Sequence, residues 1–214
     1  MPIKINEIFY SIQGESVYTG IPCIFIRLTG CNLRCSYCDT RYAYDEGKQY
    51  TIPEIVEKIK KYRCPVVQIT GGEPLLQDET HLLINRLIEI GYQVLLETNG
   101  SFQVSHLNEK CIKIIDIKCP SSNESQSTDL DNIRRLNSLD QLKFVVGDRP
   151  DYEYAVKIMK TYCQHISGDR LLFSPVAGKL DPAEMASWIL NDRLNARLQL
   201  QIHKILWPDE SRGK

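Results

Sequence analysis

No run of 18 apolar residues occurs in the chain, so hydropathy offers no membrane-spanning helix. The opening Met1-Pro2-Ile3-Lys4 lacks the charged-then-apolar pattern of a secretory leader, and the expected location is cytoplasmic. Neither sign of charge is in excess: 26 Lys and Arg against 27 Asp and Glu leave a net charge of −1, without the basic surplus of a nucleic-acid binder. Internal repeats, long linkers and a histidine pair at helical spacing are all missing. Eight cysteines are present, but with no leader they read as reduced thiols rather than a disulfide framework. Cys64, Cys111, Cys119 and Cys163 have no pair spacing, and Cys23 lies in an apolar run, so these five read as packing residues. At 214 residues, with 43% hydrophobic and 25% charged content, the chain is expected to form a single domain over 1–214.

What stands out is Cys31-Asn32-Leu33-Arg34-Cys35-Ser36-Tyr37-Cys38, three thiols spaced Cys-x3-Cys-x2-Cys directly after an apolar run at 21–28 that reads as a buried strand. Thiolates are the soft ligands of iron–sulfur clusters. No fourth cysteine follows at zinc-ribbon spacing, whereas structural zinc takes four protein ligands. A cluster held by three thiolates leaves one iron open to another ligand. A thioredoxin-like pair, Cys35 and Cys38, is the redox alternative, but it leaves Cys31 idle and opens no evident helix.

Around this loop the pattern alternates between strand and helix. Strands are expected at 3–10, 21–28, 66–70, 93–97, 112–117, 141–146, 171–173 and 198–202. Helices are expected at 53–62, 79–90, 130–136, 151–162 and 182–194, the second closed by Gly91. Such alternation argues for an α/β fold with a parallel sheet. Polar motifs follow nearly every strand end, as at the C-terminal face of a barrel. About six strands in this length predict a partial (β/α)6 barrel, shorter than the eight-fold one, with the cluster loop at 29–40.

Several motifs have two readings each. Thr70-Gly71-Gly72-Glu73-Pro74 is either a plain strand-to-helix turn or a place where glycines let the backbone approach a ligand. Asp116-Ile117-Lys118 is a surface ion pair or a ligand contact at a strand end. Arg27, a charge in an apolar strand, either reaches solvent or aims a guanidinium at a carboxylate. Thr40 is a turn residue or a hard oxygen donor for Mg2+, which takes few protein ligands. His203 reads as part of a packed tail, not as a metal ligand.

The cysteine spacing, with Tyr37 before the last thiol, resembles the radical S-adenosylmethionine (SAM) enzymes. Adding Ser11-Ile12-Gln13-Gly14-Glu15-Ser16, Phe25-Ile26-Arg27-Leu28, Cys38-Asp39-Thr40, Gly71-Gly72-Glu73-Pro74 and the 203–207 tail, the chain over its full length resembles the 7-carboxy-7-deazaguanine synthase family. The resemblance implies a modified, partial barrel and a homodimer. It implies a 4Fe–4S cluster on Cys31, Cys35 and Cys38, Mg2+ on Thr40, and an electron donor such as flavodoxin or ferredoxin. It further implies SAM contacts from Tyr37, Cys38, Asp39, Gly72, Glu73, Asn99, Asp116, Ile117, Lys118, Phe173, Ser174, Pro175 and Val176. The implied substrate, 6-carboxy-5,6,7,8-tetrahydropterin, would meet Ile12, Gln13, Gly14, Glu15, Arg27, Thr70 and Pro208. No protein residue is then the catalyst: a SAM-derived 5′-deoxyadenosyl radical removes hydrogen, the ring contracts and ammonia leaves, in queuosine or other 7-deazapurine biosynthesis. Asp116-Ile117-Lys118 stands where the family pattern has Ser-Pro-Lys, so only Lys118 transfers by identity. Two rivals are weighed beside it, a glycyl-radical activase acting on a protein and a non-catalytic zinc module; iron and turnover of the pterin discriminate.

Overall fold

The computed structural model describes residues 2–210 and 212–213. Its frame is a nine-stranded sheet in the order β3-β1-β2-β4-β5-β6-β7-β8-β9. The strands are β1 (Ile3–Ile12), β2 (Pro22–Leu28), β3 (Lys48–Tyr50), β4 (Val66–Gly71), β5 (Gln93–Thr98), β6 (Ile112–Ile117), β7 (Gln141–Val146), β8 (Leu171–Pro175) and β9 (Arg197–Leu198). From β2 through β9 all neighbours are parallel, and β1 lies antiparallel between β2 and β3. The sheet is an open, partial barrel of six main parallel strands, β2 and β4 to β8, extended by an antiparallel ribbon at one edge.

The helices are α1 (Ile52–Lys60), α2 (Thr80–Glu89), α3 (Asp131–Arg134), α4 (Arg149–Tyr162), α5 (Pro182–Asn191) and α6 (Ile202–Leu206). Their sequences explain their starts. Thr51 and Glu54 form a reciprocal capping box at α1, with Pro53 in its first turn. Asp148 caps α4 by accepting from Asp151 N, which moves that helix two residues upstream of its expected start. α1 buries Ile55, Val56 and Ile59, and α2 buries Leu83, Ile84 and Leu87, each an apolar stripe at helical spacing. These stripes cover the outward side chains of the strands, such as Val67, Ile69, Val94 and Leu96, all fully buried. No helix among the described residues is long and apolar enough to cross a membrane.

Three expectations are corrected. The strand expected at 198–202 is only the two-residue β9, followed by α6. The chain leaves the sheet edge because Ile202 N donates to Gly14 O at 3.1 Å, which carries the tail across the barrel mouth. Ser11 and Ile12, expected in a loop, continue β1 opposite Cys23 and Pro22. The helix expected at 130–136 is the short α3, and β3 went unforeseen because three residues carry too little periodicity.

Candidate active site

Side chains along a strand alternate between its two faces, and the parallel register keeps that parity across the sheet. Phe25 pairs with Gln68, Arg27 with Thr70 and Asp116 with Lys143. Together with Glu97 and Val145 these residues form one inward-facing set. Where the C-terminal strand ends meet they line a cavity of about 500 Å3, completed by the loops that follow β1, β2, β4, β5, β6 and β8.

The loop after β2 supplies the thiols. Gly30, at φ 100°, turns the chain out of the strand in a conformation that favours glycine. Cys31, Cys35 and Cys38 are half-buried free thiols on the cavity wall. The loop is pinned from its neighbours. Ser36 N and Oγ donate to Ser122 O at 3.0 Å and Ser121 O at 2.6 Å, and Arg34 N donates to Glu124 Oε1 at 2.7 Å. The Arg34 guanidinium stacks 4.2 Å over the Tyr44 ring and donates to Cys31 O at 2.9 Å. Burial pushes the Cys35 thiol up to about 11, only partly offset by Lys118, and raises Cys31 as well. A bound cation is what brings such thiols to the thiolate form.

The double glycine has a steric cause. A Cβ on Gly71 would meet the Leu28 carbonyl, and one on Gly72 would meet the Gly30 carbonyl and lie 2.8 Å from Cys31 Cβ. Glu73 N donates to Gly30 O at 2.7 Å, so the β4 turn rests directly on the cysteine loop. The Glu73 carboxylate turns inward. It accepts from Leu75 N at 3.0 Å, Thr98 Oγ1 at 2.7 Å and Asn99 N at 2.7 Å, tying the ends of β4 and β5 together. Burial raises its pKa against these three hydrogen bonds.

A charged network crosses the cavity floor. Lys143, only 4% exposed, bonds Glu15 Oε2 at 2.9 Å, contacts Glu97 Oε1 closely and lies 3.4 Å from Asp116 Oδ2. Lys118 Nζ shares Asp116 Oδ2 at 3.0 Å, while Asp116 Oδ1 is buried with no hydrogen-bond partner among the described residues. Gln201 donates to Glu15 Oε1 at 2.7 Å, Gln68 to Glu97 Oε2 at 2.8 Å, and Gln13 to Gln68. Burial alone would raise the Glu15 carboxyl, but the Lys143 ammonium, with His203 and two hydrogen bonds, holds it down to about 2. Burial works against Lys143, yet the Glu15, Glu97 and Asp116 carboxylates lift its pKa well above the ordinary lysine value.

Of the anticipated residues, Cys31, Cys35, Cys38, Tyr37, Asp39, Thr40, Gly72, Asn99, Asp116, Lys118, Val176, Ile12, Gln13, Gly14, Glu15, Arg27 and Thr70 line this cavity. Glu73, Ile117, Phe173, Ser174, Pro175 and Pro208 do not. Ile117 and Phe173 have outward parity and sit in the core, Ser174 and Pro175 are buried in the sheet, and Pro208 is exposed beyond α6. Arg27 resolves between its two readings: Nε bonds Glu7 Oε1 at 2.7 Å, the group lies near the Phe9 and Tyr42 rings, and it faces the cavity. Lys143, Gln68, Gln201, His203 and Lys204 also line the wall. Of these, Lys143 carried the signal read at Arg27, a charge inside an apolar strand. The tail entered only as part of the resemblance, with His203 read as packed, because its approach to the cavity depends on α6 folding back so that His203 lies on Gly14 and Lys204 bonds Asp39 at 2.7 Å.

The donor set fits a polynuclear iron–sulfur group. Three free thiols on one wall suit a cluster that takes one thiolate per corner. Beside them, Asp116 Oδ1, buried without a hydrogen-bond partner among the described residues, offers a polar contact to a cofactor in the same cavity.

A family model described as the radical SAM superfamily matches residues 25–162. The chain is 41% identical over 225 residues to the 7-carboxy-7-deazaguanine synthase of Koribacter versatilis (strain Ellin345), covering 99% of this chain and 100% of that one. It is 43% identical to the 7-carboxy-7-deazaguanine synthase of Chlorobaculum tepidum, covering 99% and 97% respectively. The crystal structure of QueE from Escherichia coli superposes with a TM-score of 0.78 at 23% identity, covering 94% of both chains, a likeness of fold.

Proposed function

We propose, for a chain that belongs to the radical SAM superfamily and within it to the 7-carboxy-7-deazaguanine synthases, the reaction of that name: conversion of 6-carboxytetrahydropterin to 7-carboxy-7-deazaguanine with loss of ammonia, a step of queuosine or other 7-deazapurine biosynthesis. The enzyme is a radical SAM lyase whose cofactors are a 4Fe–4S cluster and SAM. The observation that carries the reading is that one cavity joins the three-thiol loop to a cradle of Gln13, Glu15 and Arg27 suited to a polar, anionic small molecule.

Cys31, Cys35 and Cys38 hold the cluster. Gly72, Asn99, Asp116 and Lys118, with Tyr37 and Val176, bind SAM. When bound, the two cofactors supply the one-electron chemistry that starts hydrogen abstraction. The protein's share is positioning and exclusion of water. Arg27, its Nε fixed by Glu7, directs its terminal nitrogens at the substrate carboxylate, and the rings of Phe9 and Tyr42 keep it in place. Gln13 and Glu15 hold the pterin ring, Thr70 bounds its pocket, and Thr40 offers a hard oxygen to Mg2+ beside the substrate. We assign residues 1–214 to one radical SAM domain that works as a homodimer and takes its electron from a flavodoxin or ferredoxin.

The test is direct. Anaerobically reconstituted protein, incubated with the carboxypterin, SAM and a reductant, is expected to release 7-carboxy-7-deazaguanine and ammonia, read by mass spectrometry. Iron-loaded protein that consumes no pterin would overturn the assignment.

A further inference from the structure

We infer that Lys143 is a positioning residue for the substrate half of the cavity, holding the Glu15 and Glu97 carboxylates at the spacing from which they accept N–H groups of the substrate ring. The inference rests on the substrate reading above and adds to it a residue on β7.

An ammonium has three N–H donors. Those of Lys143 face three carboxylates from three separate elements: Glu15 after β1, Glu97 on β5 and Asp116 on β6. Two are committed in hydrogen bonds to Glu15 and Glu97, and Asp116 lies at ion-pair distance, so Lys143 acts chiefly through these groups. It is unsuited to take a proton, because three anions around it keep it charged. The carboxylates do have capacity to spare. Each oxygen offers two lone pairs. Lys143 and Gln201 use one apiece on Glu15, while Lys143 and Gln68 are the main donors to Glu97. Both residues face the cavity. Three carboxylates with Lys118 and Lys143 sum to −1; without Lys143 the same group sums to −2. Without the ammonium that draws them together the carboxylates repel one another and lose the spacing from which they meet the substrate ring.

In anaerobic holoenzyme, Lys143→Met is expected to raise KM for the carboxypterin about tenfold or more near neutral pH, with kcat changed far less. In a Glu97→Gln background, adding Lys143→Met should cost clearly less than it does in wild type, because one of the two carboxylates it holds is already neutral. An unchanged KM, or a kcat that falls as far as KM rises, overturns the inference, as does full additivity of the two substitutions. Should wild-type holoenzyme bind no carboxypterin, the substrate reading falls by itself. The positioning claim is then decided by crystal structures of wild type and Lys143→Met: carboxylates of Glu15 and Glu97 that stay in place refute it, and carboxylates that part uphold it.

Discussion

Lys113 and Lys143 sit on neighbouring strands, each 4% exposed, and their surroundings differ in kind. Lys113, near the start of β6, has outward parity and meets one partner, Asp140, at 3.0 Å. Asp140 spends its remaining capacity on the backbone, accepting from Lys113 N and Asn137 N at 2.8 Å each, and Lys113 also donates to the Cys111 carbonyl. Every charge there is matched by groups of the chain itself. Lys143, third of six residues in β7 and level with Asp116 near the end of β6, has inward parity and meets three carboxylates, one of which keeps an oxygen with no hydrogen-bond partner among the described residues. The first arrangement is closed and serves stability; the second is left open toward a ligand. Burial alone therefore says little about a charged residue's purpose, whereas the balance of donors and acceptors around it says much.

The contrast can be broken experimentally. The largest effect belongs to the cavity end: Cys35→Ala is expected to abolish product formation and the brown chromophore together while the far-ultraviolet circular dichroism is retained, checked by iron and sulfide analysis. Next comes the closed pair. Lys113→Met strands the buried Asp140 carboxylate and is expected to cost about 3–5 kcal/mol in urea denaturation, with KM for the carboxypterin unaltered.

A pH series sharpens the comparison further. Glu15 is held at about 2 against an ordinary 4.5, so its folded-state pKa is depressed. Its contribution to stability is present in full above 4.5 and is lost as pH falls from there toward 2. On the order of 2 kcal/mol should disappear over that window in wild type and not in Glu15→Gln, measured by denaturant midpoints at each pH. The smallest effect is at the rim. Lys204 and Asp39 are 33% and 54% exposed, and Lys204→Met is expected to cost less than about 1 kcal/mol, shrinking further at high salt.

Much of this arrangement was legible in the chain. β6 and β7 begin and end where their apolar runs do, and the strand–helix alternation named the sheet. The Gly-Gly turn and Gln13-Gly14-Glu15 were visible as motifs, and both reach the cavity. What misled was local chemistry with no address. Glu73 was named through the Gly-Gly-Glu-Pro resemblance, and that motif could not show that its carboxylate braces two strand ends. The 198–202 stretch looked like a strand because its composition suits one, and a single hydrogen bond to Gly14 O drew it over the barrel mouth instead. Lys143 passed unnoticed although Arg27 had drawn attention for the same reason.

By itself the sequence determined whatever needs only neighbours along the chain: three thiols within eight residues, a strand-then-helix rhythm, and glycines where no side chain fits. Tertiary structure alone decided which face of each strand looks into the cavity, which carboxylates gather on Lys143 rather than Lys113, and how α6 crosses the opening. The reason is physical. Alternation along a strand repeats every two residues and is blind to which side will be covered, and charge pairs between strands are set by register, a relation between segments that no one segment contains.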